Sequence, residues 1–491
     1  MSLDNLPVEW FLVPFTDLLD VQGGTQPPKS EFIDQPSVGY IRLLQIRDFG
    51  SKPVPTYIPI TKKLKICQKE DILIARYGAS LGRICSGMEG AYNVALAKVI
   101  TPSGIEKAFL KYFLRSDYFQ NPLMLLSRSA QNGFNKDDLT KFPFIFPPLA
   151  EQQEIVRQLD VMLAQVEQIK ARLDAIPAIL KKIRQSVLSD AVSGKLTEEW
   201  RKQNKSSYID KTCLEKEHQD TWLANKETYS LKGKYKKPNS VNEEYCFEIP
   251  QTWSWSNLGQ LCWSVKDGPH FSPKYSDTGI PFISGGNIRA NKIDFSNCKY
   301  ISEELHEELS KRCKPEFGDL LYTKGGTTGI AHLNKENKDF NVWVHVAVLK
   351  IIKLIDGKYL QHALNSPHCY EQSQLYTHGV GNQDLGLTRL IHITVPVPPQ
   401  EEQLEIVRCI NHNHRLADNI ENLVEAAQKR VNLLTQSILA KSFSGELTAE
   451  WREQHQDLIT GVNSAESLFA KIQAEREVSK PVKKTRVKKE A

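Results

Sequence analysis

No stretch of this 491-residue chain approaches eighteen consecutive apolar residues, so nothing in it reads as a membrane-crossing helix. The opening MSLDNLPVEW lacks a basic segment running into an apolar one, the pattern of an export signal. Cysteine is sparse, with nine residues and no C-x-x-C pair. That disfavours a disulfide framework and favours a reducing compartment, so the expected location is the cytoplasm. Catalytic signatures are missing too. No G-x-x-x-x-G-K-[ST] loop occurs, which predicts no ATP site. Neither the Asn/Asp-Pro-Pro-aromatic tetrapeptide of adenine methyltransferases nor a Pro-Asp leading into an acidic-x-Lys nuclease pattern is found. His412 and His414 stand two apart and would point to different faces of a helix. His362, His368 and Cys369 have no fourth ligand at metal spacing. No catalytic residue, cofactor or metal is therefore expected. Excess charge of one sign is also lacking: 63 Lys and Arg against 58 Asp and Glu leave +5, which permits nucleic-acid binding without demanding it.

What the chain has is repetition. Under an ungapped shift of 251 positions, Phe146 to Arg157 (FPPLAEQQEIVR) falls on Val397 to Arg408 (VPPQEEQLEIVR), and Ser193 to Arg201 (SGKLTEEWR) falls on Ser444 to Arg452 (SGELTAEWR). Between these ends the apolar residues Ile155, Leu159, Met162, Val166, Ile169, Leu173, Ile176, Leu180, Ile183 and Val187 alternate at spacings of four and three. That is a heptad seam. The second copy carries Ile406, Ile410, Asn413, Ala417, Ile420, Val424, Ala427, Val431, Leu434 and Ile438, with Asn413 its one polar member. Pro-Pro and acidic residues open each copy, and Gly194 or Gly445 closes it, which predicts two helices of roughly 65 Å. Pro177 predicts a kink in the first. A lone seam leaves an apolar stripe in water, so the two copies are expected to pack on each other; the alternative is two helices, each lying on its own domain.

A block of about 150 residues precedes each helix, and the blocks resemble each other loosely. Tyr40 to Leu44 corresponds to Pro281 to Ser284, Glu70 to Arg76 to Gly318 to Lys324, and Ala95 to Ile100 to Ala347 to Ile352. These short apolar runs read as strands; Lys107 to Ser116 and Lys358 to Ser366 read as short helices, giving α+β heads. The boundaries are a first head at 1–146, a long helix at 147–201, a linker at 202–245, a second head at 246–397, a second long helix at 398–452 and a C-terminal extension at 453–491. The last begins with a short helical stretch, then turns Lys-rich from Lys480 and is expected to be partly disordered. Trp200 and Trp451, just past the helix ends, are expected to pin the junctions.

The order head, helix, head, helix, with P-P-x-x-E-Q-x-x-I entries at Pro147 to Ile155 and Pro398 to Ile406 and S-G-x-L-T-x-x-W exits at Ser193 to Trp200 and Ser444 to Trp451, resembles the specificity subunits of type I restriction-modification systems. That resemblance covers nearly the whole chain. It implies a non-catalytic protein: two α+β target recognition domains separated by two long helices in an antiparallel coiled coil, with a pseudo-two-fold internal repeat. It further implies that each head reads one half of a bipartite, asymmetric site in double-stranded DNA. Two modification subunits would carry out adenine methylation, and motor-nuclease subunits would add ATP-driven cleavage. The residues alone leave the sense of the helix pair open, and a parallel pair would put both heads at one end. The rival reading is a coiled-coil scaffold presenting two adaptor domains to protein partners.

For DNA contact, the first head offers Arg76, Tyr77, Ser80 and Arg83 on the loop after its central strand, with Gln45 and Arg47 from an earlier strand end. The second offers Asn287, Arg289, Lys324, Thr327 and Thr328, the last three around a Gly-Gly turn. Arg pairs bidentately with guanine, and Gln or Asn with adenine. Each of these residues could equally serve structure or face solvent. Asn132 to Lys136 and His378 to Gln383 are further candidate loops.

Overall fold

The computed structural model describes residues 6–61, 63–129, 133–204, 207–379 and 383–479. The chain forms two compact units, residues 1–174 with 425–491, and residues 175–424. In the first unit, Ile72–Ala75 is buried along its whole length and is one of two inner strands of an antiparallel sheet ordered Asp20–Gly23, Leu96–Ile100, Ile72–Ala75, Ile84–Cys85. A second sheet runs Tyr57–Pro59, Tyr40–Leu44, Gly90–Tyr92, Ile66–Cys67. Helices Lys107–Arg115 and Asp117–Ser129 follow, and Phe109, Phe113 and Phe119 join Phe15 and Phe144 in a buried aromatic core.

The second unit repeats the plan. Its main sheet is ordered Cys262–Asp267, Val346–Ile351, Leu320–Gly325, Thr327–Leu333; its smaller one, Lys299–Ile301, Ile280–Ile283, Asn341–Val342. The heads differ where the central strand ends. In the second unit, Lys324 pairs with Thr328 across a tight hairpin, whose turn holds Gly326 at φ +70. In the first, a longer loop with a short 3-10 turn at Gly78–Ser80 intervenes before Ile84–Cys85.

The long helices are Leu149–Ser193 and Gln400–Phe443, and the first runs on through Pro177. Each unit on its own shows them antiparallel. In the first unit, Ile155 and Leu159 share a core with Leu439 and Phe443, and the Gln428 amide donates to Asp174 at 2.7 Å. In the second, Ile406 and Ile410 share a core with Val187 and Val192, and Arg184 bonds Asp418 and Glu421 at 2.7 and 2.8 Å. The seam is only partly closed. Ile169 and Ile420 are 44% and 43% exposed, and Ile183 and Leu434 46% and 45%. Each of these two pairs occupies one position of the 251-residue repeat. Asn413 donates to the Cys409 carbonyl of its own helix at 2.9 Å, a local bond.

One expectation changes. Within the segment read as a linker, Lys211–Asn225 is a helix that buries Leu214 and His218 against the second head, with Ile209 in the same core. Beyond the second long helix, Ala465–Ser479 buries Ala465 and Ile472 in the first head's core and brings Phe469 within 6.2 Å of the Phe11 ring. The basic run from Lys480 lies outside the described residues. All nine cysteines are free. Among the described residues, no helix is long and apolar enough to cross a membrane, and no cluster of His, Cys, Asp and Glu could hold a metal ion.

Candidate nucleic-acid interface and the junctions beneath it

A buried carboxylate organises each junction between head and helix. In the first unit Glu151, fully buried in the opening turn of its helix, accepts hydrogen bonds from the Trp10 indole (2.7 Å), Thr448 (2.6 Å) and Arg452 (2.9 Å). In the second, Glu402 accepts from the Trp253 indole (2.8 Å), Thr197 (2.6 Å) and Arg201 (2.5 Å). Arg452 also donates to the Gly445 carbonyl (2.7 Å), and Arg201 to that of Gly194 (2.6 Å). Gly194 and Gly445 hold φ near +80, and a Cβ there would meet Pro250 or Pro7 of the head, so both conformation and space require glycine. One head tryptophan, the start of one helix and the exit of the other thus meet at a single desolvated charge. Trp200 and Trp451 take no part in these bonds; Trp451 stacks on His455 at 4.7 Å. Sequence reading missed the Glu, Thr and Arg, although the repeated P-P-x-x-E and L-T-x-x-W-R contain them.

The first head brings part of its predicted set together. Gln45 caps the turn Ile46–Phe49, its N–H donating to Asp48 at 2.7 Å, and its amide reaches Thr56 at 3.4 Å. Exposed Arg47 donates to the same Thr56 hydroxyl at 3.3 Å, and exposed Arg83 donates to the Phe49 carbonyl. These two arginines therefore flank one turn. Tyr77 is exposed and Ser80 half-buried in the neighbouring loop. Arg76 is elsewhere engaged: its guanidinium clamps the Phe134 carbonyl at 3.2 and 3.1 Å and lies 5.1 Å from the Tyr77 ring centre. It braces the 133–136 loop, where Lys136 pairs with Asp20 at 2.8 Å; Asn132 lies outside the described residues.

The second head corrects more. Asn287 is buried, accepts from the Ser284 N–H and donates to the Asp294 carbonyl, so it shapes a turn. Lys324 is 3% exposed and ion-paired with Asp384 (3.0 Å) and Asp267 (3.5 Å); burial without those partners would be costly, and with them the ammonium is committed inward. Buried Thr328 bonds Gln374 and Thr377. Only Arg289 and Thr327 of the predicted set stand exposed. Beside Lys324, burial and that ammonium lower the His345 pKa. In the 378–383 loop, residues 380–382 lie outside the described residues, while the Gln383 carbonyl accepts from Gly326 N–H at 3.0 Å. Of the residues considered for metal, His368 packs on Phe247 and Trp255, and Cys369 is buried.

Residues 7–178 and 250–426, one match per head with its helix, fit the model of the type I restriction modification DNA specificity domain. The chain belongs to that family. The specificity subunit of the EcoKI type I restriction enzyme from Escherichia coli K12 is 30% identical over 99% of this chain and 100% of its own length. The EcoBI specificity subunit, also from Escherichia coli, is 37% identical over 70% of this chain and 66% of its own. Among solved structures, the HsdS subunit of Thermoanaerobacter tengcongensis shares the fold at TM-score 0.50 and 17% identity, covering 90% of this chain and 98% of that one. A chain solved in work on assembly and conformational transition of the type I R-M system matches at TM-score 0.55 and 18% identity, over 90% and 99%. As a specificity subunit, this protein is the non-catalytic, sequence-selecting member of its enzyme.

Proposed function

We propose that this specificity subunit reads a bipartite, asymmetric duplex site, one half per head, and directs adenine methylation and ATP-dependent cleavage by modification and motor-nuclease subunits bound to it. The observation that carries this reading is that matching Trp–Glu–Arg junctions seat two heads with unlike exposed surfaces: Arg47 and Arg83 around a turn in one, Arg289 and Thr327 beside a hairpin in the other. Equal mounting with unlike readers suits a site with unlike halves. Arginines that contact phosphate supply affinity, and side chains at base edges supply choice.

Docking of two like partners is supported by the seam. The Asp174–Gln428 bond sets Ile169 level with Leu433 and Leu434, and the Arg184–Asp418 bond sets Ile183 level with Ile420, so each unit carries one comparable apolar patch. The deciding experiment is a gel shift on duplex with and without a modification subunit, using the parent and Arg83→Ala. Sequence-selective binding that needs the partner and weakens in the variant is expected. Absence of selective duplex binding in either condition would favour a protein scaffold instead.

A further inference from the structure

Both units have a groove between their head and the long helices, and the two grooves correspond under the internal repeat. In the first unit a cavity of about 640 Å³ is lined by Asp160, Leu163, Glu167 and Leu439 of the helices and by Tyr112 and Arg115 of the head. Its charge is balanced, and Asp160 accepts from the Tyr112 hydroxyl. In the second unit a cleft of about 870 Å³ adjoins a recess of about 320 Å³. There Asn411 replaces Asp160 and His414 replaces Leu163 under the 251-position shift.

Among the described residues, no carboxylate lines either the cleft or the recess. Lys335 and Lys358 face the recess, and Asp356, the carboxylate whose field reaches Lys335, lies outside its lining. Burial, and then the neighbouring Lys358, lower the Lys335 pKa. His362 is pushed down to about 4 by burial and by His414, whose ring stands edge-on at 5.9 Å. The Nε2 of His414 is buried with no hydrogen-bond partner. At the wall, Arg184 is already neutralised by Asp418 and Glu421. Crowded cations and imidazoles oppose one another's protonation, the Asp356 and Asp418 carboxylates offset this only from outside the lining, and an anion among them reverses it.

We propose that this recess in the second unit is a binding site for a phosphate group, held between the Lys335 and Lys358 ammoniums with the His362 and His414 rings behind it. Lysine ammoniums hold phosphate as point charges, and the small volume suits one phosphate group with water. The phosphate could come from a DNA backbone, which rests on the reading above, or from free phosphate, which does not.

The test uses the full chain. Thermal unfolding is followed in chloride and in inorganic phosphate at equal ionic strength, for the parent, Lys335→Gln/Lys358→Gln, and His414→Leu, which installs the residue found at the matching position of the first unit. Duplex affinity of the complex with its partner subunits is then measured across salt concentrations. A Tm rise of roughly 2 to 4 °C in phosphate, lost in the variants, with unchanged salt dependence, establishes a free-phosphate site. A fall of about 0.9 in the slope of log K against log salt for each lysine–phosphate pair removed, with the methylated sequence unaltered, assigns the site to backbone phosphate. If phosphate does not raise the parent's Tm and the variants keep its salt slope, the proposal is overturned. Loss of any defined methylated sequence in the parent would instead sink the DNA-reading function and leave the free-phosphate arm to be judged alone.

Discussion

A carboxylate without water around it must have partners, and this decides what Glu151 and Glu402 are worth. Each is fully buried and holds an indole, a hydroxyl and a guanidinium. Glu402→Ala would leave the Arg201 charge and the Trp253 N–H unpaired, and the expected loss is roughly 3 to 5 kcal/mol, read as a lower midpoint in denaturant titration. Replacing a solvent-facing acid such as Glu199 should move the midpoint by about 0.5 kcal/mol or less. His362 makes a pH prediction. Its folded pKa near 4 lies below the unfolded value of about 6.5, so the unfolded chain takes up the proton first. Stability from the neutral ring is complete above about pH 6.5 and falls on acidification toward pH 4, by at most about 1.4 kcal/mol per pH unit. His362→Gln should flatten that part of the curve; an identical acid limb in parent and variant would contradict it. At this scale the sequence was a poor guide to which polar side chains face outward. The chemistry of Lys324 and Asn287 and their place in a loop suggest outward-facing readers, yet Asp267, Asp384 and Ser284 claim them, partners set by the folded structure.

At the scale of elements, the long helices were legible because a heptad pattern needs only local spacing, and the Pro-Pro entries and glycine exits are local too. Partner register was not, since it rests on long-range bonds such as Arg184 to Asp418. Insertion or deletion within residues 161–188 is expected to change the spacer between methylated half-sites while leaving their sequences alone. Mapping methylated adenines checks this, and altered half-sites with an unchanged spacer would refute it. The helix Lys211–Asn225 escaped sequence reading because its polar composition hides a few buried anchors, while the short helical stretch expected beyond Arg452 is Ala465–Ser479, anchored by buried Ile472. Ile472→Ala should therefore cost roughly 2 to 5 kcal/mol in unfolding experiments, as a core truncation does; a neutral result would show the helix undocked.

For the whole molecule, the proposed function makes the readers separable from the mounting. Changing Arg289 and Thr327 to alanine in the second head is expected to relax one half of the methylated sequence and leave the other half intact. Loss of both halves at once would mean the heads do not read independently. The sequence by itself determined the duplication, the two long helices, the α+β character of each head and the absence of catalytic signatures, because each is written in neighbouring residues or in a repeat. Tertiary structure alone decided which polar side chains face outward, that a glutamate at each helix start is the fastening point for distant Trp, Thr and Arg, and that one of two matching grooves gathered cations without acids. Those outcomes depend on which residues far apart in the chain become neighbours once water is excluded, and spacing along a sequence does not encode that directly.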